Sequence, residues 1–223
     1  HVSSRHLLGL INDMLEMAKI ESGDLTLNTE PISLREIMQN ISSILQPQIR
    51  EKDQSFHICV HDICCENVCA DRVRLSQILL NILGNAVKFT PEGGAIRLDL
   101  REEPSPKGER FIRSHLYISD NGVGMSREFQ SHIFEPFARE DQARVDKAPG
   151  AGMGMTITKY IVDAMGGAIT VESERGRGTR FHIALDLEKG ACQEGELRLP
   201  ERDVLVLEGD ADAGEPALAA LAS

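Results

Sequence analysis

The sequence predicts an α+β fold: a two-layer α/β sandwich in which a mixed, mostly antiparallel sheet packs on helices, preceded by one separate helix. Three observations point there. Helical and strand periods occupy separate stretches, without the strict strand–helix alternation of a doubly wound sheet. The last strands follow one another closely around the tight turn Gly176-Arg-Gly178, as antiparallel neighbours do. At 223 residues, 41% apolar and 26% charged, the chain has globular composition and enough length to bury a core.

Residues 1–22 read as a helix, because Leu7, Ile11, Met14 and Ala18 recur at helical spacing and Leu8 and Leu15 widen the stripe. Gly23 stops it. So apolar a helix needs cover, either from the rest of the chain or from a helical bundle shared between two chains. Leu25 and Leu27 alternate with polar residues as a short strand. Ser33 caps the next helix, with Glu36 completing a capping box. That helix runs to about Lys52, and Pro47 inside it predicts a kink or an early end. Residues 55–61 alternate as a strand, with Ile58 and Val60 on one face and His57, Cys59 and His61 on the other.

Asp71 opens a long helix that ends near Phe89. Leu75, Ile78, Leu79, Ile82, Leu83 and Ala86 form its apolar face, and Gln77, Asn81, Asn85 and Lys88 its polar one. Strands are predicted over 95–102 and 111–119, a short helix over 126–132 and an irregular loop over 138–151. A helix follows from about Gly154 to Met165, then strands near 168–173 and 179–186. Residues 188–202 read as a polar linker, and 203–207 (Asp-Val-Leu-Val-Leu) as the first strand of something new.

Lys and Arg number 24 against 35 Asp and Glu, a net charge of −11. No basic stripe is available to neutralise phosphates, which argues against nucleic acid as a partner. An anionic ligand would need local donors or a metal. No apolar run approaches the roughly 18 residues of a membrane-spanning helix and no signal peptide opens the sequence, so no direct membrane contact is expected. The five cysteines are Cys59, Cys64, Cys65, Cys69 and Cys192. An odd number, mostly crowded together, points to reduced thiols and a cytoplasmic setting. His57, Cys59 and His61 with the three cysteines after them are zinc-ligand types. There is no Cys-x-x-Cys pair and the core needs no metal, so no metal site is expected there.

Four groups of residues carry chemistry. Asn81 and Asn85 offer neutral oxygens that coordinate Mg²⁺ without adding charge beside phosphates, and Lys88 is a point charge for a phosphate; a solvated polar face is the alternative. Asp120-Asn-Gly122-Val-Gly124 follows a strand. Its carboxylate can accept from an exocyclic amine while glycine lets backbone approach a flat ring, or it is a plain turn. Gly150-Ala-Gly152-Met-Gly154 precedes a helix and can present backbone N–H groups to an anion. It has neither the Lys-Ser/Thr of a phosphate loop nor the leading strand of a dinucleotide fingerprint. Gly176-Arg-Gly178-Thr179 reads by itself as a hairpin.

In this order and spacing, the four groups resemble the catalytic ATP-binding domain of sensor histidine kinases. This is the Bergerat-type fold shared with gyrase, Hsp90-type chaperones and mismatch-repair ATPases, and the match covers about residues 30–187. The stretch from Ser3 to Gly23 looks like the second helix of the family's dimerisation and histidine-phosphotransfer bundle. The resemblance implies a division into 1–23 (bundle helix), 24–187 (catalytic and ATP-binding domain), 188–202 (linker) and 203–223 (start of a receiver domain). It implies ATP and Mg²⁺ as ligands, a homodimer through the bundle helix, and as partners a phosphoacceptor-histidine helix and a response regulator or receiver.

The implied roles follow. Asn85 holds Mg²⁺ on the triphosphate, Asn81 supports the phosphates, Lys88 contacts one, and Phe89 sits beside the nucleotide. Asp120 accepts from the adenine amine, with Gly122 and Gly124 shaping the pocket and Thr179 closing its far wall. Phe134 and Phe137 match the phenylalanine box and anchor the loop at 138–151. Arg139, Arg144 and Lys147 in that loop are phosphate contacts or solvated charges. Gly150, Gly152 and Gly154 match the second glycine box, with Met153 and Met155 in place of the commoner Leu. The hydrolysing relatives carry a Glu one helical turn before the magnesium Asn; here Asn81 stands there, and an amide cannot take a proton from water. That favours phosphoryl transfer over hydrolysis. The family's acceptor motif, His-Glu/Asp-x-Arg followed by Pro, does not occur in the sequence, and neither His1 nor His6 is followed by the acid, so the acceptor is expected outside it. The strand at Asp203 looks like the first of a receiver domain, although Glu208 and Gly209 stand where two Asp are usual; a strand that merely extends the sheet is the alternative.

Overall fold

Alternating burial along the two longest central strands sets up the layers. The computed structural model describes residue 11 and residues 14–20, 22–23, 25–140, 152–190 and 203–208. A helix over 14–20 (α1) leads in. There follow β1 (Glu30–Ser33), α2 (Leu34–Glu51), β2 (Ser55–His61), β3 (Asn67–Ala70), α3 (Arg72–Phe89), β4 (Ala95–Pro104), β5 (Phe111–Asp120), α4 (Arg127–His132), α5 (Gly154–Ala164), β6 (Ala168–Glu174), β7 (Gly178–Lys189) and β8 (Asp203–Glu208). The eight-stranded sheet has the order β1-β3-β7-β5-β4-β2-β8, with β6 also on β7. Among the described residues only the β2–β4 pair is parallel.

Ile112, Leu116 and Ile118 of β5 and Phe181, Ile183, Leu185 and Leu187 of β7 face the helices and are buried; Arg113, His115, Tyr117, Arg180 and His182 alternate with them on the outer face. The expected apolar face of α3 is buried in full, and Ile37, Ile41, Leu45 and Ile49 of α2 and Ile157, Ile161 and Val162 of α5 pack beside it. Each such side chain contributes about 1.5–3 kcal/mol by leaving water. α3 starts where expected because the Asp71 carboxylate accepts from Arg74 N at 2.9 Å.

Three expectations about elements are corrected. Leu25 and Leu27 form no strand. The segment is held by Asn28 N donating to the second Asp71 oxygen at 2.8 Å, and ladder pairing begins only at Glu30. Pro47 does not end α2, because the lost backbone bond is outweighed by the burial of Leu45 and Ile49 on either side. The capping box is half made: Ser33 Oγ accepts from Glu36 N at 3.3 Å, but the Glu36 side chain goes to Arg72. In the leading helix, Ile20 is buried against the domain while Ile11, Met14 and Leu15 of the expected stripe are about half exposed. Glu16 fixes this docking by accepting from Arg74 and, at 2.5 Å, from Gln77 Nε2.

β7 runs on to Lys189, and residues 203–208 pair antiparallel with β2 from Ser55↔Glu208 to Val60↔Asp203.

Candidate functional site

The polar face of α3, the end of β5, the turn after it and the start of α5 converge on a cavity of about 390 Å³. Of the residues singled out from the sequence, Asn81, Asn85, Lys88, Phe89, Asp120, Gly124, Gly152, Gly154 and Thr179 line it, together with Arg139. Residues 70 apart in sequence meet because β5 ends beside the α3 terminus while α3 and α5 pack together.

Asp120 is the last residue of β5, 8% exposed and opposite Thr179 on β7. One carboxylate oxygen accepts from Gly122 N at 2.8 Å. Burial pushes its pKa up to about 6, against the pull of backbone N–H donors from Gly122 and Thr179. A carboxylate desolvated this far needs a donor from a ligand to be at ease. Met125, Phe129, Ile133 and Phe181 give the cavity apolar wall. Asn121 ties the turn to β4 by accepting from Ala95 N at 2.8 Å. Gly122 does not itself line the cavity, yet only glycine fits there: a Cβ would stand 2.7 Å from both Asp120 Oδ1 and the Phe89 carbonyl oxygen. At Gly124 the φ is +63° and a Cβ would strike Glu174 O at 1.9 Å.

The α3 side supplies amides and a cation. Asn81 Nδ2 donates to Gly154 O at 3.1 Å and to Thr158 Oγ1 at 3.2 Å. Gly154 O can only accept, so this assigns the nitrogen to α5 and turns the Asn81 oxygen away from it. Lys88 Nζ stands 4.7 Å above the Phe89 ring. Burial, and after it the charge of Arg139, holds the Lys88 ammonium below the usual lysine range. Both cations line the cavity, which suits an anionic ligand there. The N-cap residue of α5, Met153, makes no side-chain cap bond, and Gly154 and Met155 of the first turn line the cavity, which puts a helix N-terminus at its edge.

Other expected residues fall elsewhere. Phe134 and Phe137 do not line the cavity: Phe134 packs against the core from outside it and Phe137 is 61% exposed. Phe129 and Ile133, whose spacing of four puts them on one side of α4 and its cap, line the cavity instead. That spacing was the available signal. Gly150, Arg144 and Lys147 lie outside the described residues. Glu140 was not singled out from the sequence. It is buried and accepts from Ser126 N at 3.0 Å and Arg175 Nη2 at 2.7 Å, joining α4 and the β6–β7 turn to the cavity wall.

The cysteine–histidine group is split. Cys59 and His61 come within 4.8 Å of Asp99, but Arg97 donates to both Asp99 oxygens at 2.7 Å, which makes the cluster an ion-pair network. Cys64 and Cys65 donate their backbone N–H to Glu102 instead. Cys65 Sγ donates to Asn67 O at 2.9 Å, and among the described residues Cys59, Cys64 and Cys69 are in no disulfide.

Residues 70–189 match the family described as histidine kinase-, DNA gyrase B- and HSP90-like ATPases. The chain belongs to this ATPase family. Every residue lining the cavity falls within the matched region. The chain is 36% identical over 200 residues to the autoinducer 2 sensor kinase/phosphatase LuxQ of Vibrio vulnificus, covering 86% of the chain and 22% of LuxQ. It is 34% identical over 209 residues to the sensor histidine kinase GacS of Pseudomonas protegens, covering 92% of the chain and 22% of GacS. The chain thus spans about a fifth of the length of the curated relatives it matches. Among solved structures, full-length ShkA in complex with AMPPNP superposes with a TM-score of 0.72 at 32% identity, over 85% of this chain and 38% of ShkA. As a member of the ATPase family, the chain has the family's two-layer architecture, with the cavity at the edge where α3 meets β5. No helix among the described residues is long and apolar enough to cross a membrane.

Proposed function

We propose that the chain is the ATP-binding catalytic part of a two-component sensor histidine kinase, which transfers the γ-phosphoryl group of Mg·ATP to a histidine on a dimerisation bundle. The observation that carries this is the pairing of the buried, glycine-held Asp120 with the Asn81–Asn85–Lys88 face of α3 across one cavity. Asp120 accepts from the adenine amine, and the closeness of Gly122 to both Asp120 and Phe89 keeps the ring plane free of side chains. Thr179 closes the wall opposite α3. Lys88, Arg139 and the first-turn N–H groups of α5 meet the phosphates.

The donor set fits magnesium. Asn85, with the Asn81 oxygen one turn away, offers neutral oxygens beside cations rather than a ring of carboxylates, which suits an ion shared with a triphosphate. When bound there, Mg²⁺ neutralises phosphate charge. In this reading Asn85 holds the ion, and the protein residues orient the γ-phosphoryl group and exclude water from it.

Asn81 stands where hydrolysing relatives carry a general base, and its amide is committed to Gly154 and Thr158. Phosphoryl transfer to a presented histidine is therefore favoured over attack by water. The acceptor histidine, a homodimeric bundle that includes α1, a response regulator or receiver domain and a cytoplasmic setting complete the proposal. Titration with AMPPNP and Mg²⁺ tests it: binding is expected, and Asn85→Ala or Asp120→Ala abolishes it. Steady phosphate release from ATP by the unmutated chain would instead mark a hydrolysing ATPase. No binding at all would leave a degenerate module and overturn the proposal.

A further inference from the structure

The last turn of α3 ends beside the cavity with carbonyls that the helix itself cannot satisfy. Thr90 N takes Ala86 O at 2.9 Å. Lys52 Nζ donates to Val87 O at 2.7 Å, to Lys88 O at 2.8 Å and to Thr90 O at 3.1 Å. Gln54, 1% exposed, adds its Nε2 to Val87 O at 3.1 Å and Thr90 O at 2.8 Å. Phe89 O is left to the glycine turn, where Val123 N donates to it at 3.3 Å. All three ammonium donors of Lys52 are thus spent on the turn that carries Lys88. A cation here also answers the negative pole of the α3 dipole, which otherwise faces the cavity that Lys88 and Arg139 equip for anions.

We propose that Lys52 is a positioning residue for nucleotide phosphates: it caps α3, offsets the carbonyl potential beneath Lys88 and thereby fixes the Lys88 ammonium toward the triphosphate. The proposal rests on the nucleotide-binding reading above. Lys52 stays outside the cavity and touches no ligand; it acts through the helix end. The matching sequence signal is Lys52-x-Gln54 directly after α2, which only the packing of α2 beside α3, with Glu36 meeting Arg72 at one end, brings to the α3 terminus at the other.

The test measures AMPPNP with Mg²⁺, and separately adenosine, on the wild type, Lys52→Met, Lys88→Met and the double variant, with thermal midpoints alongside. Lys52→Met is expected to weaken AMPPNP about fivefold or more, to leave adenosine unchanged, and to add nothing once Lys88 is Met. Equal AMPPNP affinity of folded Lys52→Met and wild type overturns the proposal. Additive losses in the double variant also overturn it, since they mark a general structural role. Should Lys52→Met not fold, Lys52→Gln, which keeps a donor without the charge, carries the same comparison. Wild type that binds neither ligand overturns the nucleotide reading together with this proposal. Wild type that binds both without any dependence on Lys52 overturns this proposal alone.

Discussion

Asp120 and Gly122 form a closed two-residue unit: the carboxylate of the first accepts the backbone N–H of the second at 2.8 Å, and no side chain larger than hydrogen fits at the second. The unit holds one carboxylate oxygen on the turn, and Asp120 itself lines the cavity. It also makes ionised Asp120 expensive when the cavity is empty, because burial outweighs the backbone donors.

Ligand binding is therefore expected to depend on pH through Asp120. Its pKa is raised to about 6, and only the ionised form can accept from an amine with both oxygens free of protons. Adenosine, which has no phosphate to titrate, should bind about tenfold more weakly at pH 5 than at pH 7. A flat profile in calorimetric titration over that range would remove Asp120 from adenine recognition.

The same raised pKa has the opposite consequence for the empty protein. A carboxyl whose pKa rises from 3.8 to about 6 on folding adds stability at acid pH that is lost as pH rises through about 6. Asp120→Asn should therefore stabilise the apo protein at pH 7.5 by up to about 3 kcal/mol, with the advantage vanishing near pH 4. It should also weaken adenosine, because its oxygen stays with Gly122 and its NH₂ faces the ligand amine. Urea melts at both pH values check the first part, and an unchanged adenosine titration would refute the second.

Two neighbouring glycines should respond differently. Gly178 has φ +99° and its Cβ would stand 1.9 Å from Asp120 O, whereas Gly176 has φ +78° with open space around it. Gly178→Ala should cost about 3 kcal/mol or more by forcing β7 from β5 at the cavity. Gly176→Ala should cost about 1 kcal/mol, the backbone strain alone. Equal losses in denaturant titration would contradict this.

Asn81 joins α3 to α5, and its two donated bonds separate structure from ligand contact. Thr158→Val removes one bond partner and should lower stability by about 1 kcal/mol while leaving AMPPNP affinity as it is. Asn81→Ala should lower both. If Thr158→Val weakens AMPPNP as much as Asn81→Ala does, Asn81 only braces the helices.

Much of the site was readable because the chemistry is local. Asp71, a capping Asp before an amphipathic run, marks the start of α3, and spacings of four and three place Asn81, Asn85 and Lys88 on one side. The Asp-x-Gly-x-Gly turn follows a strand whose alternation is unmistakable. The failures are non-local. Leu25 and Leu27 alternate like a strand, but the partner that fixes the segment is the Asp71 carboxylate, 43 residues away from Asn28. Phe134 and Phe137 stand out in sequence as a pair, yet it is the turn of α4 that sends Phe129 and Ile133 to the cavity instead. Lys52 and Glu140 look like ordinary surface charges until the elements pack.

The sequence by itself determined the layered α+β class, the order of the elements and which residue types are offered to a nucleotide, since periodicity and turn chemistry act over a few residues. It could not determine that Asp120 is desolvated enough to titrate near pH 6, that the Asn81 amide is claimed by α5, that Lys52 ends on the carbonyls of α3, or that residues 203–208 pair with β2. Each of these depends on which distant groups become neighbours and how much water they exclude, and only the packing of helices on the sheet decides that.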